Sequence, residues 1–255
     1  MPLANGIYYE TAGSPDAPAL LFSNSLGTSL EMWEAQAIAF SRDFHVIRYD
    51  TRGHGRSLSP AGPYTMAQLG GHVLALLDFL HIDHAHFCGL SMGGVTAQWL
   101  GVHACDRIDK LVIANSAARV GTENGWTERA HAVRGEGLGT IADGAPGRWF
   151  TRDFIKREVG TVEQMVETMR RGNAEGYAGC CEALAQADLR TQIHLIPNAT
   201  LIIAGQHDPV TTVADAAFMR QQIEGSALVT LPASHLSNVE APVAFNQALG
   251  DFLRS

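Results

Sequence analysis

The sequence predicts an α/β fold: a mostly parallel sheet with helices on both faces, interrupted by a helical lid insertion. Two observations lead there. Apolar runs of strand length alternate with longer segments whose apolar residues recur at helical spacing, the pattern of parallel strands joined by crossover helices. That alternation stops near Ala118 and resumes only at Thr200. A chain of 255 residues is within the range of one such domain. The expected organisation is a core made of residues 1–118 and 191–255, with a helical cap over residues 119–190.

Along the chain, the expected strands are Ala19 to Ser23, Phe44 to Tyr49, Ala85 to Leu90, Lys110 to Asn115, Thr200 to Gly205 and Ala227 to Leu231. Their near-continuous apolar character suits strands covered on both faces. Met66 to Leu80, Val213 to Ile223 and Val243 to Leu253 carry apolar residues at helical spacing and read as crossover helices. The segment from Ala118 to about Arg190 is polar, rich in glycine and compatible with helix, and it carries Trp126, Trp149 and several arginines. Its place after a central strand suits a lid over the carboxyl ends of the strands, where open α/β sheets bind ligands.

Composition narrows the function. The formal charge is −8, and no cluster of Lys or Arg stands out, so the electrostatic footprint of a nucleic-acid binder is missing. In so acidic a chain, an anionic substrate needs a local cationic pocket. No apolar run of about 18 residues suggests a membrane span, and Met1 to Gly13 lacks a basic start followed by an apolar stretch, so a cytoplasmic location is expected. Cys88, Cys105, Cys180 and Cys181 form no CxxC pair and read as buried reduced thiols rather than metal ligands. Nothing in the sequence sets an oligomeric state.

Gly89-Leu90-Ser91-Met92-Gly93 spells Gly-x-Ser-x-Gly, directly after the strand Ala85 to Phe87 and before the helical pattern Gly94 to His103. The bare motif is weak, but strand, sharp turn and helix together make it specific. A serine on a strained strand-to-helix turn leaves no room for side chains at the flanking positions, and its hydroxyl projects free above the sheet. Ser91 is the expected nucleophile. A serine hydroxyl attacks at neutral pH only when an imidazole removes its proton, and the imidazole needs a carboxylate to fix its tautomer. The strand Thr200 to Ala204 ends in Gly205-Gln206-His207-Asp208-Pro209, which sets Asp208 at the rim as the acid. The strand Ala227 to Leu231 ends in Pro232-Ala233-Ser234-His235, which sets His235 just before the last helix as the base. The order Ser, acid, His is that of the α/β-hydrolase fold.

Other histidines compete. His81, His84 and His86 lie close together, but no carboxylate cluster accompanies them, so no metal site is expected. His207 and His54 fall where they can line a pocket, yet neither follows the last strand. The tetrahedral intermediate needs two N–H donors. One is expected from Met92, the residue after the nucleophile. The other is expected from the loop Asn24-Ser25-Leu26-Gly27, where the usual HG-type motif is absent; Leu26 is the first choice and Ser25 the second.

These residues carry a resemblance. Asp50-Thr51-Arg52-Gly53-His54-Gly55-Arg56-Ser57 resembles the loop after the fourth strand of α/β-hydrolases. More narrowly, Ser23 to Gly27, Gly89 to Gly94, the lid run Gly176-Tyr177-Ala178-Gly179-Cys180-Cys181, and His235 to Glu240 resemble 3-oxoadipate enol-lactonases. The resemblance implies hydrolysis of a small anionic enol-lactone to 3-oxoadipate in the protocatechuate branch of aromatic degradation, without metal or organic cofactor, by Ser91, Asp208 and His235. The substrate's carboxylate then calls for a cation, for which the forked guanidinium is best suited. Arg134 and Arg148 in the lid are candidates, against a competing reading of both as solvated surface residues, and Trp126 and Trp149 are candidate walls. Two rival functions share the motifs: a general carboxylesterase, perhydrolase or carbon-carbon hydrolase, and a binding module that kept the fold and lost catalysis.

Overall fold

The computed structural model describes residues 3–255. Its sheet contains β1 (Leu3–Ala4), β2 (Ile7–Ala12), β3 (Ala19–Ser23), β4 (His45–Tyr49), β5 (Ala85–Leu90), β6 (Ile108–Ala114), β7 (Ala199–Gly205) and β8 (Ala227–Leu231). The spatial order is β1-β2-β4-β3-β5-β6-β7-β8. Strands β3 to β8 pair in parallel, and β1 and β2 add an antiparallel edge that the apolar alternation did not reveal. Each expected strand is present, its ends shifted by a residue or two at most. Every residue of β3 and β4 is buried, as the continuous apolar runs of a doubly covered sheet require.

The helices are α1 (Glu34–Phe40), α2 (Met66–Phe79), α3 (Met92–His103), α4 (Glu123–Glu136), α5 (Gly139–Asp143), α6 (Ala145–Trp149), α7 (Arg152–Arg157), α8 (Val159–Arg170), α9 (Ala174–Gln186), α10 (Val213–Gln222), α11 (Ser237–Glu240) and α12 (Pro242–Arg254). No helix among the described residues is long and apolar enough to cross a membrane. Between β6 and β7 the described chain forms helices and no strand. The start of α4 is fixed by Thr122, whose hydroxyl accepts the Gly125 N–H, and the start of α9 by Asn173, which accepts the Gly176 N–H; such caps are each worth about 1 kcal/mol.

Two features of this frame position a site. Strand order reverses around β3, which has β4 on one side and β5 on the other. Such a reversal opens a crevice beyond the carboxyl ends of the strands, and the loops after β3 and β5 meet there, with Ser23 paired beside Gly89. Helix α9 is also docked tightly on the 50–57 loop. A side-chain carbon on Gly176 would lie 2.3 Å from the Gly53 carbonyl oxygen, and one on Gly179 would lie 2.8 Å from the Tyr64 ring. The glycines of the 176–181 run are there for that close approach.

Candidate active site

Ser91 lies between β5 and α3 with φ 58° and ψ −113°, a backbone conformation that costs a non-glycine residue of order 1–3 kcal/mol. The turn is held from both sides. The Ser91 N–H donates to the Ala114 carbonyl at 2.9 Å, and the Ser116 hydroxyl donates to the Ser91 carbonyl at 2.8 Å. A side-chain carbon on Gly89 would come within 1.9 Å of the Gly93 carbonyl oxygen, and one on Gly93 within 2.2 Å of the Ser23 carbonyl oxygen. Only glycine fits at these positions, which is the physical content of the Gly-x-Ser-x-Gly pattern.

The structure brings Ser91, His235 and Asp208 together. His235 Nε2 is 2.9 Å from Ser91 Oγ, and His235 Nδ1 is 2.8 Å from Asp208 Oδ2. All three residues are buried. Asp208 also accepts the Val210 and Thr211 backbone N–H groups on Oδ1 at 2.7 and 3.0 Å, and the Thr211 hydroxyl and Asn115 Nδ2 on Oδ2 at 2.8 and 3.1 Å. Burial alone raises this carboxyl's pKa. The bonds from His235, Thr211 and Asn115 outweigh that and hold it below the usual aspartate range, so Asp208 is a carboxylate that accepts the Nδ1 proton. This leaves Nε2 facing the serine hydroxyl as an acceptor.

Asn115 was not foreseen. It follows β6 with φ 42°, and its amide bridges Asp208 and the Ser234 carbonyl at 3.1 Å each, while its Oδ1 accepts the Ser237 hydroxyl. It thereby ties the acid loop to the base loop. An asparagine just past a strand end, a residue type that tolerates positive φ, was the available signal.

Met92 is the first residue of α3, a position whose N–H has no partner within the helix. In the loop after β3, the Gly27 N–H donates to His54 Nε2 at 2.9 Å and the Thr28 N–H to the Ser25 carbonyl at 3.2 Å. Among the described residues no acceptor meets the Leu26 N–H. His54 must be neutral to accept from Gly27, with its proton on Nδ1 toward the Arg52 carbonyl at 3.4 Å. Burial pushes its pKa down to about 4, against a weaker opposing bond from that carbonyl.

A cavity of about 400 Å³ opens over Ser91 and His235, lined also by Ser25, Leu26, Trp126, Arg129, Arg148, Trp149 and Tyr177. The expected walls Trp126 and Trp149 are therefore in the cavity, and so is Arg148. Arg134 is not, which corrects the expectation for that residue. Its guanidinium is taken up by Glu175, with Nε and Nη2 at 2.8 and 2.9 Å, and by Glu182, with Nη1 at 2.6 Å. These bonds push Glu175 down to about 2. Arg134 thus fastens α4 to α9. The cation that sequence reasoning passed over is Arg129, one turn beyond Trp126 on α4, with its guanidinium 4.8 Å from the centre of the Trp126 rings. That i, i+3 spacing was the available signal. A larger cavity of about 1060 Å³ lies beyond Gly27, Met169 and Tyr177, but neither Ser91 nor His235 lines it.

The helical segment is bonded to the base loop itself. The Leu236 N–H donates to the Trp149 carbonyl at 3.0 Å, and Glu240 accepts the Ser234 N–H at 2.8 Å together with the hydroxyl of Thr151. Among the described residues no group of three or more His, Cys, Asp or Glu is placed to hold a metal ion. His84 pairs instead with Asp109 at the surface. All four cysteines are unpaired thiols. Burial pushes Cys88, Cys180 and Cys181 above the usual thiol range, Cys181 to about 12.

Comparison with known proteins gives a consistent picture. Residues 18–242 match the family described as alpha/beta hydrolase fold. The chain is 52% identical to 3-oxoadipate enol-lactonase 2 of Acinetobacter baylyi, over 94% of this chain and 90% of that protein. It is 44% identical to 3-oxoadipate enol-lactonase 1 of the same organism, over 95% of this chain and 91% of that protein. Among solved structures it resembles the enol-lactonase from Burkholderia xenovorans LB400, with a TM-score of 0.96 and 44% identity over 98% of this chain and 96% of that one.

Proposed function

This chain belongs to the 3-oxoadipate enol-lactonases of the α/β-hydrolase fold, and from that premise we propose that it is a cytoplasmic enzyme that hydrolyses 3-oxoadipate enol-lactone to 3-oxoadipate in the protocatechuate branch of aromatic degradation. The observation that carries the reading is the bonded chain from Ser91 Oγ through His235 to Asp208 at the floor of a small, tryptophan-walled cavity.

In this reading, Ser91 Oγ attacks the lactone carbonyl carbon as His235 Nε2 takes the hydroxyl proton, and Asp208 stabilises the imidazolium that forms. The carbonyl oxygen becomes an oxyanion held by the Met92 and Leu26 N–H groups, with Ser25 next to the same position. Removing one such donor costs about a hundredfold to a thousandfold in rate. Collapse of the intermediate breaks the ring C–O bond, and His235 returns its proton to the departing enol oxygen. The enol then tautomerises to the ketone, which draws the reaction forward. Because the ester is cyclic, the departing group stays tethered to the acyl-enzyme until water, deprotonated by His235, releases the product. Residues 119–190 act as a lid that retains it, with Trp126 and Trp149 as walls and Arg148 as a cation for the substrate's carboxylate.

Steady-state kinetics test the reading. The kcat/KM for the enol-lactone is expected to exceed that for 4-nitrophenyl acetate by about tenfold or more, and a tenfold preference for the aryl ester would overturn it in favour of a general carboxylesterase.

A further inference from the structure

We propose that Arg129 and Arg148 together form a clamp for a single carboxylate, and that this pair sets the preference of the active site for carboxylate-bearing substrates. The inference rests on the lactonase reading for the identity of the substrate, and on the following observations for the clamp itself. In a chain of net charge −8, the cavity over Ser91 is lined by no Asp or Glu, and Arg129 and Arg148 are its charged residues. The other arginines of the helical segment are largely committed: Arg119 to Asp188, Arg134 to Glu175 and Glu182, Arg157 to Glu158, Arg170 to Asp143, and Arg171 to Glu167. No carboxylate lies within ion-pair distance of Arg129 or Arg148 among the described residues.

The guanidiniums are aimed by few contacts: Arg148 by a backbone carbonyl and Arg129 by the Trp126 ring and the Tyr177 phenol. Arg148 Nη2 donates to the Ile141 carbonyl at 2.7 Å, and a side-chain carbon on Gly144 would lie 2.7 Å from Arg148 Nη1. Gly144, at the turn between α5 and α6, has φ −84°, and its lack of a side chain leaves the guanidinium uncrowded there. Arg129 lies over the Trp126 rings, a cation–π contact with its guanidinium carbon 4.8 Å from their centre. Trp126 is itself fixed by its indole N–H, which donates to the Val120 carbonyl at 2.6 Å. Burial lowers the pKa of Arg148, and the positive charge of Arg129 lowers it further, so the two cations are near enough to repel. Both also oppose the upward push that burial gives the Tyr177 phenol.

Like charges brought together without a counter-ion destabilise the empty site, and a bound carboxylate relieves that repulsion while accepting forked bonds from both. A neutral ester gains neither effect. The expected result is discrimination by charge at a distance from the reacting carbonyl.

The probe is adipate, a non-hydrolysable dicarboxylate, titrated calorimetrically against the purified protein beside 1,6-hexanediol, its neutral counterpart. Adipate is expected to bind at least tenfold more tightly than the diol, with an affinity that falls as salt rises. Arg129→Met is expected to lose about tenfold or more of adipate affinity, Arg129→Lys less, and Arg134→Met none, with melting temperatures reported for each to separate binding from folding. If Arg129→Met fails to fold, Arg129→Lys carries the test: the charge and the salt dependence are kept, and loss of the forked donors is expected to lower adipate affinity by a smaller factor. Equal affinity for adipate and the diol, or an Arg129→Lys and Arg129→Met pair that both bind adipate like the unaltered protein, would overturn the clamp. Loss of adipate binding in Arg129→Met without any lactone hydrolysis by the unaltered protein would leave the clamp standing and overturn the lactonase reading instead.

Discussion

The sheet side and the helical side of the cavity are built on opposite terms. On the sheet side, Asp208 accepts bonds from His235, Thr211, Val210 and Asn115, His235 is bonded on both ring nitrogens, and Ser91 is clamped by Ala114 and Ser116. On the helical side, Arg129 and Arg148 line the same cavity, with no carboxylate within ion-pair distance among the described residues. Catalysis rewards groups already held in place before the transition state forms, so a saturated network is what a proton relay needs. Recognition of an anion needs the reverse, donors left unsatisfied until the ligand arrives.

This contrast predicts that substitutions on the two sides differ in kind. Ser91→Ala should lower kcat by about 10⁴-fold or more on any ester while leaving the melting temperature within a few degrees; comparable turnover in the two proteins would break the assignment. Asp208→Asn should also cost about 10⁴-fold in kcat, because the amide favours the wrong imidazole tautomer, and combining it with Ser91→Ala should add little. Additive losses in the double variant would show that the two residues do not act as a unit.

His54, which holds the 24–27 loop, offers a stability test. Its pKa is about 4 in the folded chain against about 6.5 when unfolded. Between those values the unfolded chain binds more protons, so stability is present above pH 6.5 and is lost as pH falls toward 4. The loss from this group between pH 7 and pH 4.5 should be about 2–3 kcal/mol. Urea unfolding of His54→Gln at both pH values should show a shallower loss than the unaltered protein, and parallel losses would contradict the assignment.

On the helical side, Arg148→Met should raise KM about tenfold for a carboxylate-bearing lactone and change kcat much less, since it removes binding common to ground and transition states. An equal fall in kcat would move Arg148 to the chemical step. The smallest effect is expected for Arg134→Met: kcat/KM within about twofold, and stability lower by about 1 kcal/mol at most, as for other partly exposed ion pairs.

The same contrast explains what could be read from the chain alone. Ser91, Asp208 and His235 were legible because each follows an apolar strand, and the fold leaves little choice about where a strand-end residue goes. The parallel strands were legible for the same reason, whereas β1 and β2 at the edge alternate too weakly to stand out. Arg134 and Arg129 sit on the same polar helix, α4, and composition does not tell them apart. What separates them is tertiary. Arg134 meets Glu175 and Glu182, a pair two turns apart on α9, whereas Arg129 sits one turn after Trp126 and is carried with that ring into the cavity. Asn115 was missed because its partners, Asp208 and Ser234, are far away in the chain.

The most direct test of the chemistry is covalent labelling with a serine-directed fluorophosphonate, followed by peptide mass spectrometry. A single adduct on the peptide containing Ser91 is predicted, absent in Ser91→Ala, strongly slowed in His235→Ala, and suppressed by saturating enol-lactone. Labelling at another residue, or an unaltered labelling rate once His235 is removed, would contradict the account.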